Sequence, residues 1–328
     1  MMASYDLDQQ ATAATFDETA YLRANPDVAQ AVREGHVASG RQHFDLYGHR
    51  DTPRRMMRMT ERIHEAKRRK LRRILPLLRS DAAAVEHDDH VDCLPAVMKS
   101  RWNISDTEAV SAHPYNDDIM QLVGRYEDGL VLDAGAGKRP VYFDNVVNYE
   151  IVAYDTTDVV GVGEELPFAD GSFDAVVSTA VLEHVKDPFR CAREIARVLK
   201  PGGELYCVVP LLAPLHGYPH HYYNMTDQGI RNLFDDLLEV ERVEVSRHLL
   251  PIWALTWICS RWAEGLSGAT KDEFLGMRIA DFIGSPVPHL DQRYVTGLSA
   301  TVNSELAAGH ALFAHKPPSP VSGRRPNE

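Results

Sequence analysis

Residues Leu130–Gly137 read LVLDAGAG, and no other run constrains the chain as much. A short apolar stretch, Leu130–Leu132, suits one buried strand, ends in Asp133, and leads at once into glycines. Gly135 and Gly137 let the backbone turn sharply and admit a ligand where a Cβ would block it. A dinucleotide fingerprint wants another glycine three residues on, and that place is Pro140. As a bare turn, Asp133 would serve only as a cap, so the weight falls on the residues beyond Gly137.

A second strand, Val146–Tyr149, ends in Glu150. A carboxylate at a strand's carboxyl end is placed to accept two hydrogen bonds from a ribose diol. Asp155 is the alternative if the strand is instead Ile151–Tyr154; Glu150 is preferred because Tyr154–Thr157 then reads as a turn into a third strand, Asp158–Val162. Ala169-Asp170-Gly171 turns into a fourth strand, Phe173–Ser178. Asp187-Pro188 caps a helix whose buried face is Ala192, Ile195, Ala196 and Leu199. Lys200–Gly203 stops it, and Leu205–Val209 is a fifth strand. Strand and helix alternate as in a doubly wound, mostly parallel α/β sheet.

The chain has 328 residues, 44% hydrophobic and 25% charged, which excludes wholesale disorder and predicts about two domains. Its longest apolar run, Leu249–Cys259, is broken by Pro251 and Thr256, short of the roughly 20 residues a membrane span needs. The first residues, with Asp6, Asp8, Asp17 and Glu18, do not read as a secretory signal. Cys93, Cys191, Cys207 and Cys259 form no CxxC, so a reducing cytoplasm is expected. Net charge is −12, yet Arg50–Arg79 carries +9 and leaves −21 for the rest. So acidic a body argues against nucleic-acid binding.

The chain reads as six regions: a flexible N-terminus (1–15), a small all-helical accessory module (16–48), a basic helical arm (49–80), a linker with a lead-in helix (81–128), the α/β domain (129–316) and a disordered proline-rich tail (317–328). The module has apolar residues at helical spacing and a break at Asn25-Pro26, with Asn25 as cap; so small a unit must dock on something. In the arm, Met56, Met59, Ile63, Ala66, Ile74 and Leu78 share one face, and Pro76 ends the helix. Its basic residues read either as the solvated face of a linking helix or as a contact for an anionic membrane surface or polyanionic glycan carrier.

The blocks VLDAGAG, ELPFADGSFD, VLEHV and LKPGG, in this order and spacing, resemble the class I S-adenosylmethionine-dependent methyltransferases of the broad small-molecule group. The resemblance is close over Leu130–Pro210. It implies a seven-stranded Rossmann-like sheet and S-adenosylmethionine as cofactor. It also implies Asp133, Gly135 and Gly137 around the methionine half, Glu150 on the ribose, Leu166 beside the adenine, and Ser178 and Thr179 on the methyl-donor side. Two positions depart from the family. Val162 stands where an acidic residue often meets the adenine, leaving backbone groups or Glu164 to replace it. Only Lys138–Asn145 separate the glycine loop from the second strand, so the usual helix there is cut to about a turn.

Beyond the fifth strand, Pro210, Pro214 and Pro219 bar regular structure, and His216, His220, His221, Tyr222 and Tyr223 cluster before a helix capped by Thr226. A long loop beside a methyl donor is where an acceptor should sit. A hydroxyl acceptor must lose its proton, and histidine suits that task near neutrality. The candidate bases are His220 and His221, with His184 next and read otherwise as a structural residue. His216, Tyr222 and Tyr223 are read as acceptor-binding. The spacing His-x3-His-His on a proline-broken loop is not a helical ligand pair, so no metal is expected. Trp253, Trp257 and Trp262 read as core or lid rather than a stacking platform. The loop and the N-terminal module together resemble bacterial methyltransferases encoded with surface-polysaccharide glycosyltransferases. That implies a sugar or glycan-precursor acceptor and glycosyltransferase machinery as a partner. Another small molecule or a lipid-linked quinone is the rival acceptor, a non-catalytic scaffold the rival class, and the oligomeric state is open.

Overall fold

The computed structural model describes residues 3–50, 56–107, 110, 112–217 and 220–308. The expected disordered tail, 317–328, lies outside them. The chain divides into two compact units, one running to Leu212 and including His216–Val245, the other made of Ala213–Leu215 and the residues from Ser246 onward.

The first unit holds the sheet. In chain order its strands are β1 (Ser4–Asp6), β2 (Asp8–Gln10), β3 (Met56–Arg58), β4 (Val85–Glu86), β5 (Val91–Asp92), β6 (Val131–Ala134), β7 (Val141–Phe143), β8 (Val146–Glu150), β9 (Val159–Val160), β10 (Phe173–Thr179) and β11 (Leu199–Val208). Seven of them form one sheet in the order β11-β10-β6-β8-β9-β5-β4. All neighbours are parallel except β4 and β5. The mostly parallel seven-stranded sheet expected from the sequence is therefore present. The strand order reverses at β6, so the glycine loop leaves the sheet at its topological switch point, where open α/β sheets bind ligands.

Two of the seven strands come from an unexpected place. β4 and β5 belong to the stretch read as linker, so a boundary at Gly129 would cut through the sheet. Among the described residues no strand comes after β11. β11 itself starts earlier than expected: Phe173 pairs with Leu199 and Ala175 with Glu204, so Lys200–Gly203 is a bulge within the strand.

Helices α1 (Glu18–Ala24), α2 (Pro26–Arg33) and α3 (Gly40–His43) form the small module, which a π turn over Phe44–Gly48 closes. Asp17 caps α1 through the Ala20 amide. Asn25 stands at the N-cap of α2, but its side chain donates to the carbonyls of Tyr21 and Met56 instead. Tyr21, Val28 and Phe44 share a cluster with Met57 of β3, so the module docks on that strand.

The N-terminus is ordered over both of its strands. β1 pairs antiparallel with β7, and β2 with β3. β7 occupies the short connection where the sequence left room for only a turn of helix. Tyr5, Leu7 and Tyr142 there pack on Ile63 and Ala66 of α4 (Glu61–Ile74). The basic arm is thus neither free nor fully solvated. Leu71 and Ile74 join the main core, and Lys67 and Lys70 are each 1% exposed. The Lys70 ammonium donates to Asp158 Oδ2 at 2.9 Å and lies 3.6 Å from the Tyr142 ring centre. Burial lowers its pKa to about 8 against the pull of Asp158. Arg62, Arg69, Arg72 and Arg73 face outward.

Helix α5 (Ala96–Trp102) precedes α6 (Asp117–Arg125), whose Ile119, Leu122 and Val123 cover one sheet face with Val131, Val146 and Val177. On the other face, α7 (Pro188–Val198) buries Cys191, Ala192, Ile195 and Val198. Asp187 caps α7 and Pro188 opens it; Thr226 caps α8 (Asp227–Phe234) through the Gly229 amide. The second unit contains α9 (Pro251–Glu264), α10 (Gly268–Gly276), α11 (Arg293–Thr296) and α12 (Ala300–Glu305). It splits the tryptophan set. Trp262 stacks on Phe274 at 5.6 Å in the unit's core, while Trp253 and Trp257 are exposed.

Candidate active site

The carboxyl ends of β6, β8 and β10 carry the first part of the site. Asp133 is wholly buried. Its Oδ2 accepts from Tyr115 Oη at 2.6 Å and from Arg139 Nε at 3.0 Å and Nη2 at 2.8 Å, while Oδ1 has no partner. Burial, and next the Asp133 charge, hold the Tyr115 hydroxyl well above the ordinary tyrosine range, so it stays a donor. Gly135 and Gly137 have φ of +104° and +63°, the left-handed region that favours glycine. A Cβ on Gly135 would run into the Val181 side chain, so the loop passes directly under the segment after β10.

Glu150, 8% exposed, turns its carboxylate back to the loop: Oε1 accepts from the Gly137 amide at 3.0 Å and Oε2 from the Ile151 amide at 2.6 Å. Burial raises its pKa, and these two amides pull the other way. Asp155, the alternative, is occupied elsewhere, with Arg58 at 3.0 Å and Arg23 at 3.6 Å. Leu166 is fully buried in the main core and does not border an open cleft. Val162 is buried too, and Glu164 does not stand in for the missing acid. Its Oε1 accepts from the amides of Lys186 and Asp187, which fixes the entry to α7. Ser178 is buried and hydrogen-bonded to Cys207, and Thr179 closes β10 opposite Val208.

The second part begins one residue on. Ala180 has φ of +55°, a left-handed conformation that is strained for alanine, and it directs the chain into Val181–Val185. Glu183 is 0% exposed, and neither of its carboxylate oxygens has a hydrogen-bond partner among the described residues. Its Oε1 lies 3.7 Å from His184 Nε2 and 3.8 Å from His216 Nε2. The loop after β11 is pinned here by backbone bonds, since the amides of Tyr222 and Tyr223 both donate to the Glu183 carbonyl, at 2.6 and 3.1 Å. His184 Nδ1 bonds the His220 carbonyl at 2.7 Å. Burial lowers the His184 pKa, against the charge of Glu183.

The structure therefore brings His184, His216 and His221 together, with ring centres 4.4 to 5.4 Å apart, and sends the His220 side chain elsewhere. His220 Nε2 meets the Asn103 carbonyl at 2.8 Å. His221 holds the loop: its Nδ1 accepts from the His216 amide at 3.1 Å, and Nε2 faces Asn224 Oδ1 at 3.0 Å. The expected preference for His220 and His221 over His216 thus has no geometric support. Tyr222 and Tyr223 are about two-fifths exposed on the same loop. Sequence reasoning missed Arg139 and Tyr115. A cation two residues beyond the second glycine was a usable signal for Arg139, whereas nothing local marked Tyr115.

The donor-side residues suit S-adenosylmethionine. Two glycines in left-handed conformations border a strand end, Glu150 stands beside them, and Asp133 keeps one buried oxygen unpartnered. Residues 136–207 match the family model of a methyltransferase domain. A demethylmenaquinone methyltransferase of Mycolicibacterium vanbaalenii is 37% identical over 106 residues, which span 32% of this chain and 46% of that protein. A human thiol S-methyltransferase is 40% identical over 78 residues, 24% of this chain and 32% of that one. The chain thus spans less than half the length of these relatives. Among solved structures, phosphoethanolamine N-methyltransferase 2 of Haemonchus contortus aligns with a TM-score of 0.32 at 17% identity, over 58% of this chain and 49% of the other. The sheet-bearing part of this chain is a class I S-adenosylmethionine-dependent methyltransferase domain.

Proposed function

We propose that the chain is an S-adenosylmethionine-dependent O-methyltransferase acting on a sugar hydroxyl of a surface polysaccharide or its precursor. The observation that carries this reading is the loop after β11, which sets imidazoles and two tyrosines beside the buried carboxylate of Glu183, two residues beyond the Val181 that packs against the glycine loop. Asp133, the Gly135–Gly137 turn and Glu150 would hold the cofactor. Bound there, S-adenosylmethionine supplies an electrophilic methyl group. The chain's own task is to hold the acceptor oxygen in line and receive its proton; alignment of that kind is worth up to about 7–11 kcal/mol. Tyr222 and Tyr223 offer ring faces and hydroxyls to a sugar. The resemblance of the loop and the N-terminal module to methyltransferases of polysaccharide gene clusters supports the acceptor class.

A lipid-linked quinone is the second reading. The name of the mycobacterial relative favours it, and so do the exposed Ile252, Trp253 and Leu255 on α9. One assay separates the two: the protein with radiolabelled donor and either glycan intermediates or demethylated isoprenoid quinones. Label appearing in the glycan fraction and not in the quinone supports the proposal; the reverse replaces it.

A further inference from the structure

An ionised carboxylate taken out of water costs several kcal/mol unless something pairs with it. The other buried acids of this unit obey that rule. Asp158 takes a lysine, a tyrosine hydroxyl and an amide. Glu150 and Glu164 take backbone amides. Glu183, equally buried, takes none on either oxygen among the described residues. It is aimed at two imidazoles, and one oxygen of Glu183 and one nitrogen each of His184 and His216 lie within 4.8 Å of one another.

The orientation of His184 adds an independent sign. Its Nδ1 faces a backbone carbonyl, that of His220, at 2.7 Å. That bond takes the N–H and leaves the lone pair on Nε2, the atom turned toward Glu183. Metal-bound histidines are fixed in this way, with the distal nitrogen donating to a carbonyl. His216 is carried on the loop that the Tyr222 and Tyr223 amides tie to Glu183. Gly217, with φ of +80°, lies so close under the His184 ring that a Cβ there would strike it.

The geometry points to a binding site for one divalent ion of the zinc class, held by Glu183, His184 and His216, with coordination positions left open for an oxygen ligand. Two imidazoles and one carboxylate suit zinc, cobalt or iron(II) better than calcium or magnesium, which prefer all-oxygen shells. Three protein ligands are the pattern of metal sites that keep a place for water or substrate. Bonds of about 2.1 Å put neighbouring ligand atoms of a tetrahedral site about 3.4 Å apart. The carboxylate–imidazole separations of 3.7 and 3.8 Å need to close by a few tenths of an ångström, and the two imidazole nitrogens, within 4.8 Å of each other, by up to about 1.4 Å, within reach of side-chain rotation. That the open position receives the acceptor hydroxyl rests on the proposed O-methylation; the ion site itself does not.

The test uses the full chain, stripped with a chelator and titrated with Zn²⁺ by calorimetry and with Co²⁺ by visible absorption. One equivalent of each is expected to bind, with Co²⁺ giving the intense bands of a four- or five-coordinate ion. Glu183→Gln and His216→Ala should each weaken binding at least tenfold, and exposed His248→Ala should leave it unchanged. His216→Ala decides the matter if Glu183→Gln does not fold. Wild-type protein that takes up neither ion, or His216→Ala that binds as well as wild type, would overturn the proposal. No methyl transfer is measured, so an ion that binds while the glycan assay fails leaves this site standing and removes only the acceptor reading.

Discussion

Asp133 on β6 and Glu183 just beyond β10 are both wholly buried carboxylates at the same edge of the sheet. Asp133 is met by a guanidinium and a tyrosine hydroxyl; among the described residues Glu183 has two imidazoles standing off at 3.7 and 3.8 Å and no hydrogen bond. The first acid is part of how the domain holds itself together. The second is a cost to the apoprotein that the proposed ion would offset. The contrast is between a carboxylate whose charge the protein itself neutralises and one whose charge it does not, and variants can break it.

The largest effect belongs to the paired side. Arg139→Ala leaves Asp133 with the Tyr115 hydroxyl alone and should cost about 3–5 kcal/mol in urea unfolding. A loss below about 1 kcal/mol would mean that Asp133 does not depend on its guanidinium. Lys70→Met removes the ammonium from Asp158 and should cost about 3 kcal/mol near neutral pH. Its pH dependence has a definite sign. The folded Lys70 pKa, about 8, lies below the ordinary 10.5, so between those values the unfolded chain holds the proton that the folded one releases. Wild-type stability should therefore rise relative to Lys70→Met by about 1 kcal/mol per pH unit across that window, and fall back as pH drops through 8. A flat difference from pH 8 to 10 would show that Lys70 is not the buried cation described.

On the unpaired side the sign reverses. Glu183→Gln in metal-free protein removes an uncompensated charge and should stabilise by about 1–3 kcal/mol, read as a higher melting temperature. A destabilisation of that size would mean that the carboxylate has a structural partner after all. The smallest effect tests a function at little cost to the fold. Glu150→Gln should weaken S-adenosylmethionine binding at least tenfold, about 1.4 kcal/mol, by calorimetry. The folded Glu150 pKa is raised above 4.5, so its contribution to stability is present below 4.5 and lost as pH rises through the folded value. At neutral pH the amide should then melt no lower than wild type.

The parts of the fold that are locally encoded were legible. The Asp187-Pro188 and Thr226 caps, the strand end at Glu150, the strand start at Phe173 and the glycine loop each depend on a few adjacent residues. β4 and β5 were not legible, because two-residue strands have no periodicity to read. The fate of the arm was half-legible. Ile63, Ala66, Lys67, Lys70 and Ile74 fall on one helical face, but lysine is so seldom buried that such a face reads as solvated. A chain beginning near Asp81 would lose Leu71 and Ile74 from the core and is expected to lose stability. At the site, the glycines, Asp133, Glu150 and the histidines came from the sequence, Arg139 and Tyr115 did not, and the roles came from space. Whether His216 or His220 faces Glu183 depends on which imidazole the backbone bonds to Glu183 leave turned inward.

The pairing of Ser4–Asp6 with Val141–Phe143 also has a consequence for how the chain is made. β1 meets its partner only after more than a hundred further residues have been added. At about 5–20 residues per second, that is a wait of roughly 7 to 27 s. Throughout it the strand has an open edge, the usual template for pairing with another chain. Asp6 puts negative charge on that strand, and Asp8 adds a second just beyond it, which discourages such pairing until the partner arrives.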